Sequence, residues 1–398
     1  MPTDKANRFD TLDSLRGIAS LSVVIGHAMC TLPSLAEMVY MDQETPTHNL
    51  KFFISASPLH FFWNATPAVI LFFVLSGFVL SISFLESDTS KNYLVFAIKR
   101  VIRLWLPCAA IITISVMLRY ILYEPGTLTQ FHGWINLMWL NEISFINFIS
   151  LISLNENFNQ IDPALWTLPI EIKLSLLLPV FILLVRNLNK LWTAIATVSY
   201  VLGYHLLVSL GITRVFPEFA FMFYFSFFLF GITLCRYRWY LVNFIDGTSP
   251  FVVHSFLLIA VFVYTGNYTL WYLPGNMYQT FMKVPEQYRV AIPCMFFILF
   301  ALSRFGTKFL RNKLLQQLGT ISFSLYLVHQ VVIVATAYTF GSVLNPYLTV
   351  VIAVILSLCT AGLFYKFCEA PSTKLAQYFG RIIQTRITQR AKAIVIPN

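Results

Sequence analysis

The chain has 398 residues, 58% of them hydrophobic and 11% charged, with a mean hydropathy of +0.71 and a net charge of +10. Soluble domains carry about 25% charged residues, so the composition excludes an ordinary soluble enzyme and points to an all-α integral membrane protein. The positive charge is explained by basic loops between apolar segments, which leaves no reason to invoke a nucleic-acid partner.

Ten apolar runs have the length of a membrane span: 12–32, 63–85, 104–122, 164–185, 191–210, 219–235, 251–266, 290–303, 318–338 and 347–368. With the N-terminus inside, the expected outer segments hold only Lys51, Arg214, Lys283 and Arg289, and the stretch 123–163 holds no Lys or Arg. Inner segments collect Lys91, Lys99, Arg100, Arg103, Arg304, Lys308, Arg311 and Lys313, among others. That asymmetry predicts about ten transmembrane helices with both termini cytoplasmic. The first run lacks a small-residue cleavage site and is expected to stay as a helix.

That first run carries Asp13, Arg16 and His27. Hydrocarbon cannot solvate such side chains, so each is a candidate for function. Eleven residues separate Arg16 from His27. At about 100° each, the two fall within about 20° on the helix surface, about 16 Å apart along the axis. Asp13 and Ser20 share the stripe, and Gly17 and Gly26 thin the helix for close neighbours. Taken singly, Asp13 and Arg16 also read as an interfacial i,i+3 ion pair, and His27 as a packed histidine.

At the inner end of the third run, Arg100 and Arg103 are three apart, so both guanidiniums can face one anion, a phosphate or a carboxylate. The same spacing also suits plain anchoring at the inner surface. The outer stretch 123–163 is expected to form short helices in the outer interface or over a cavity, with Trp134, Leu137, Trp139, Leu140, Phe145 and Phe148 as its apolar positions. Glu171 is expected about two turns inside the outer end of the fourth run. There it faces a wet cavity or pairs with Lys173 or another cation. In the ninth run Tyr326 and His329 are three apart, and His329 reaches mid-membrane near the depth of His27. It could hold an acceptor, orient the first histidine, or simply pack. The six cysteines lie in or at the ends of runs without metal-ligand spacing and read as packing residues, so no metal is expected. Residues 1–371 form the membrane domain, and 372–398 read as a basic amphipathic cytoplasmic tail on the inner leaflet.

These residues resemble the membrane-bound acyltransferase family three. The resemblance starts at Arg8-Phe-Asp10-x-Leu-Asp13-Ser-Leu-Arg16-Gly-Ile-Ala with His27 eleven residues after Arg16. It continues through Phe72-Phe-Val-Leu-Ser76-Gly77-Phe78, Arg100-x-x-Arg103-Leu-x-x-Pro107 and Leu165-Trp-Thr-Leu-x-x-Glu171. It ends with Ile321-Ser-Phe-Ser-Leu-Tyr-Leu-Val-His329 and Glu369-x-Pro371. Six elements in family order, from about residue 8 to 375, make the match specific. The chain departs from the family pattern at Pro169 and Phe323.

The resemblance implies an O-acyltransferase that moves an acyl group, usually acetyl, from cytoplasmic acyl-CoA to a hydroxyl of a glycan, lipid or other acceptor. It implies that Arg16 and His27 are essential and that Arg100 and Arg103 serve the donor. On that footing the donor phosphates are expected at Arg100 and Arg103, with the 304–313 basic group in support, and the pantetheine arm along the Arg16-to-His27 stripe. Asp13 would hold Arg16. His27 would act as general base or as a nucleophile carrying the acyl group. Glu171, Tyr326 and His329 would handle the acceptor. The expected partners are acyl-CoA, a glycan or other hydroxyl acceptor and membrane lipids, and the expected location is the bacterial inner membrane. The alternative from the buried charges alone is a proton-coupled transporter or exporter. The chain shows no internal repeat of the kind many transporters have.

Overall fold

The computed structural model describes residues 3–39, 50–85, 92–155, 158–212, 220–270 and 273–395. Lys91, Arg214 and His48 lie outside the described residues. Among those described, all regular structure is helical. Eleven long helices order the chain: α1 Thr3–Met29, α2 Ala65–Leu85, α3 Tyr93–Leu122, α4 Thr167–Arg186, α5 Lys190–Ser209, α6 Met222–Gly247, α7 Pro250–Tyr264, α8 Glu286–Leu302, α9 Ser322–Phe340, α10 Pro346–Phe364 and α11 Ala370–Val395. Short helices and 3₁₀ turns connect them. Each apolar run falls largely on one of these helices. Six helical stretches among the described residues are long and apolar enough to cross a membrane, or seven if the bent pair Gly275–Met282 and Glu286–Leu302 is one span. The chain is a multi-pass integral membrane protein.

Local signals set the helix ends. Asn92, Asn189, Ser249 and Asn345 cap α3, α5, α7 and α10 by accepting backbone N–H bonds, and proline follows the cap at Pro250 and Pro346. Pro169 falls in the first turn of α4, where the missing N–H costs nothing.

Side-chain hydroxyls tie α1 to its neighbours. Thr11 donates to the carbonyl of Ala301 at 2.7 Å, Ser14 to Leu310 at 2.7 Å, Ser20 to Ser322 at 2.9 Å and Ser22 to Phe61 at 3.0 Å. Such bonds between helices are individually modest, about 0.6 kcal/mol, but they have no competitor in hydrocarbon and so fix rotation. Gly17 closes the same contact. A Cβ there would lie 2.6 Å from the backbone nitrogen of Gly319 and 2.8 Å from the carbonyl carbon of Leu318.

The stretch 123–166 is part exposed and part packed into the bundle. Phe145 and Ile146 are exposed as an interfacial helix would require, but Trp139, Ile135, Ile161 and Asp162 are fully buried. Trp139 occupies the left-handed region at φ 63°. It is held there by its indole N–H on Ser115 at 3.0 Å, its backbone N–H on Gln160 at 2.7 Å and a stack on Tyr338. Arg119 donates through Nε to the carbonyls of Trp139 and Asn141. The segment dips into the bundle and satisfies its irregular backbone on α3 and α9 (Ile161 on Ser115, Ala164 on Gln330 and Tyr326).

At the other end, α10 runs through a π turn, Tyr365–Glu369, into α11. Pro371 cannot donate a helical N–H, and the turn widens so that Ala370 donates to Tyr365. Beyond it α11 packs along α3.

Because backbone stands opposite Gly17, no side chain can yield to a larger residue. Gly17→Ala is expected to destabilise the protein by about 1–3 kcal/mol. A lowered midpoint in thermal unfolding of the detergent-purified protein is the readout, and an unchanged midpoint would contradict this packing.

Candidate active site

One cavity of about 710 Å³ opens between α1, α2, α3, α4, α9 and α11. Asp13, Arg16 and Ser20 of α1 line it, so the stripe expected on the first helix is on the cavity wall for its first two turns. Arg16 and Asp13 form the i,i+3 ion pair at 2.9 Å, and both face the cavity.

Arg100 and Arg103 line the same space from α3, but their partners differ. Arg100 Nη2 meets Glu171 Oε1 at 2.5 Å, and Arg100 Nε donates to Ser175 at 3.0 Å. Ser76 donates to the same Glu171 oxygen at 3.3 Å. Of the partners expected for Glu171, it has a neighbouring cation, Arg100, and it faces the cavity opposite Ser76 in the middle of α2. Lys173, the alternative partner, lies over the ring of Phe221 at 5.5 Å. Arg103 makes no hydrogen bond or ion pair among the described residues and is exposed to the cavity. Two of the three arginines thus hold a carboxylate in a direct ion pair, whereas Arg103 has Glu369 as a nearby carboxylate without a direct bond to it among the described residues.

Sequence reasoning did not assign the remaining polar wall. Glu369, at the end of the π turn, lines the cavity and accepts from Ser324 at 2.6 Å. Lys374 and Gln377 of α11 line the cavity mouth, so the stretch expected on the inner leaflet supplies one wall. The sequence signal was present in Glu369-x-Pro371, whose proline forces the π turn. Arg304, Lys308, Arg311 and Lys313 do not line this cavity.

Ser20 and Tyr326 line the cavity deeper along α1 and α9. Tyr326 donates its hydroxyl to the carbonyl of Ala164 at 2.9 Å and lies 3.0 Å from the Thr167 hydroxyl, which donates to it. Its ring centroid is 5.9 Å from that of His329. His329 is fully buried, and its Nε2 lies 2.8 Å from Nδ1 of His27. His27 is half-buried, and the indole of Trp134 donates to its backbone carbonyl at 3.1 Å. His27 does not line the cavity. It lies two turns beyond Ser20, on the far side of Tyr326 and His329. The two histidines assigned to similar depth from separate helices are brought together.

A family model described as an acyltransferase domain matches residues 9–366. The chain belongs to acyltransferase family three. No curated protein and no solved structure matches it. Membership makes the protein an acyltransferase acting on hydroxyl acceptors. Its matched region includes every cavity residue of α1 to α9, whereas Glu369, Lys374 and Gln377 lie beyond it.

In this acyltransferase the Arg100–Glu171 pair is a matched set, because removing one partner leaves a charge in a mostly apolar wall. Arg100→Met and Glu171→Gln should each lower the thermal midpoint, and the double variant should be more stable than the sum of the two effects. The expected coupling is on the order of 1–3 kcal/mol. Strict additivity in a double-mutant cycle would contradict the pairing.

Proposed function

We propose that this protein transfers an acetyl group from cytoplasmic acetyl-CoA to a hydroxyl of a glycan or related acceptor at the bacterial inner membrane, with His27 as general base and no metal. The observation that carries the reading is the layout of the cavity. Arginines and Lys374 gather at the end reached by α11, while the opposite wall, Tyr326, abuts the imidazole pair.

Coenzyme A brings phosphates that hydrocarbon cannot hold. Arg103 and Lys374 receive them, while Arg100, fixed by Glu171, sets the edge of the site. The narrow pantetheine arm extends along Arg16 and Ser20. Asp13 holds the Arg16 side chain, and Arg16 offsets negative charge along this path. The thioester meets His27 when the Tyr326 side chain leaves its bonds to Ala164 and Thr167.

The acceptor approaches from the Trp134 side of His27. A neutral imidazole has one ring nitrogen with a lone pair, which can take a proton from a hydroxyl. The oxygen then bonds to the thioester carbonyl carbon, the carbon–sulfur bond breaks, and the proton returns from His27 to the leaving thiolate. Tyr326 and His329 shape the acceptor end through the contacts described above, while Glu171 acts at the donor end through Arg100.

Radiolabelled acetyl-CoA tests this in detergent, where no gradient exists. Purified protein is expected to turn the donor over. His27→Ala should abolish turnover and leave coenzyme A binding within about twofold. Arg103→Ala should weaken that binding about tenfold or more, the size of one lost charge-assisted bond. Full activity in His27→Ala would overturn the base assignment. Gradient-driven uptake in vesicles without turnover would replace transfer by transport.

A further inference from the structure

Each ring nitrogen of the imidazole pair can be assigned a proton or a lone pair. His329 Nδ1 lies 2.8 Å from the carbonyl oxygen of Tyr326 and 3.2 Å from that of Leu325. Carbonyl oxygens only accept, so Nδ1 carries a proton, and a neutral His329 presents its lone pair at Nε2. That lone pair faces Nδ1 of His27 at 2.8 Å, with the ring planes within 2° of parallel. His27 therefore donates from Nδ1, and its own lone pair is at Nε2. The other assignments are costly. A lone pair on His329 Nδ1 would face two carbonyl oxygens. A charged His329 at rest would be buried with no carboxylate bonded to either ring among the described residues.

Gln330 fits a different protonation of the same pair. Its Oε1 accepts from the backbone N–H of Ala164 at 2.6 Å, which turns its amide nitrogen toward His27 Nδ1 at 3.2 Å. An amide donor has no use for a protonated Nδ1. That opposition ends once the proton has moved to His329.

We propose that His27 and His329 form a two-state proton relay, in which His329 is a positioning residue that aims the His27 Nε2 lone pair at the acceptor and takes up the charge of the transferred proton. The inference rests on His27 being the base. As the hydroxyl oxygen bonds to the thioester carbonyl carbon, its proton goes to His27 Nε2 and the Nδ1 proton shifts to Nε2 of His329. His329 is then held by two carbonyl acceptors and donates from Nε2 to His27 Nδ1, and the Gln330 amide no longer faces a proton on that nitrogen. When the carbon–sulfur bond breaks, the thiolate takes the proton from His27 Nε2 and the shared proton returns. Gln330 links this cycle to the inserted segment through Ala164.

The test is solid-state ¹⁵N NMR of the full-length protein, labelled at histidine nitrogen, in lipid bilayers at neutral pH. The spectrum of His27→Ala identifies the His27 signals. In the wild type His27 should show a protonated Nδ1 and a lone-pair Nε2. His329→Gln, whose Oε1 can still accept, should keep that pattern. His329→Ala should shift His27 to the Nε2–H form that free imidazole favours. A wild-type His27 already protonated at Nε2, or a His329→Ala spectrum with His27 unchanged, would overturn the relay. Because the wild-type pattern decides by itself, misfolding of one variant does not remove the test. The result is also independent of turnover, so a fully active His27→Ala protein would refute the base assignment while leaving the tautomer result to stand.

Discussion

A polar group surrounded by hydrocarbon must find its partner within the protein, and the arrangement of this molecule follows from that requirement. The hydroxyls of α1 reach backbone carbonyls on four neighbouring segments, which fixes the rotation of the helix that carries Asp13, Arg16 and His27. Arg100 finds Glu171, and His27 finds His329. The irregular 123–166 segment places its carbonyls and amides on Ser115, Tyr326 and Gln330. Some of these groups, Ser20, Arg100, Glu171 and Tyr326, also line the cavity. At those residues structural partnering and site construction are the same contacts.

The cavity is asymmetric in its charge because only some of its ions are partnered. Arg16 and Arg100 are neutralised by carboxylates three and 71 positions away, and Glu369 bonds to Ser324. Arg103 and Lys374 line the cavity with no hydrogen bond or ion pair among the described residues, and they come from different helices, α3 and α11. An anion that bridges them would bind the α11 segment to the membrane bundle. The π turn at Tyr365–Glu369 sets where Lys374 points, since a regular helix would rotate every later residue differently.

Much of this was legible in the sequence, for local reasons. Apolar runs of span length marked where the long helices lie, and the 100° step put Asp13, Arg16 and Ser20 on one wall. Depth alone placed His27 and His329 at one level. What stayed hidden was long-range. Nothing in the sequence near Glu171 says that its cation is Arg100 and not Lys173, because the choice depends on how α3 packs on α4. The 3₁₀ turns around Gly133 and Pro163 that precede α4 have no helical period, and Trp139 between them is buried in a backbone conformation that propensity disfavours. The α11 segment reads as a basic amphipathic helix from its composition, and that reading cannot say whether its polar side faces lipid headgroups or a cavity.

The central claim is that a single path runs from Arg103 and Lys374 to the imidazole pair and is filled by the acyl donor. Cryo-electron microscopy of the protein with a thioether analogue of acetyl-CoA, which cannot be cleaved, examines it most directly. The account predicts the analogue's phosphates beside Arg103 and Lys374, its arm along Arg16 and Ser20, and its carbonyl carbon turned toward Tyr326 and His27. An analogue lying outside this cavity, or with its nucleotide at the Trp134 face, would contradict it.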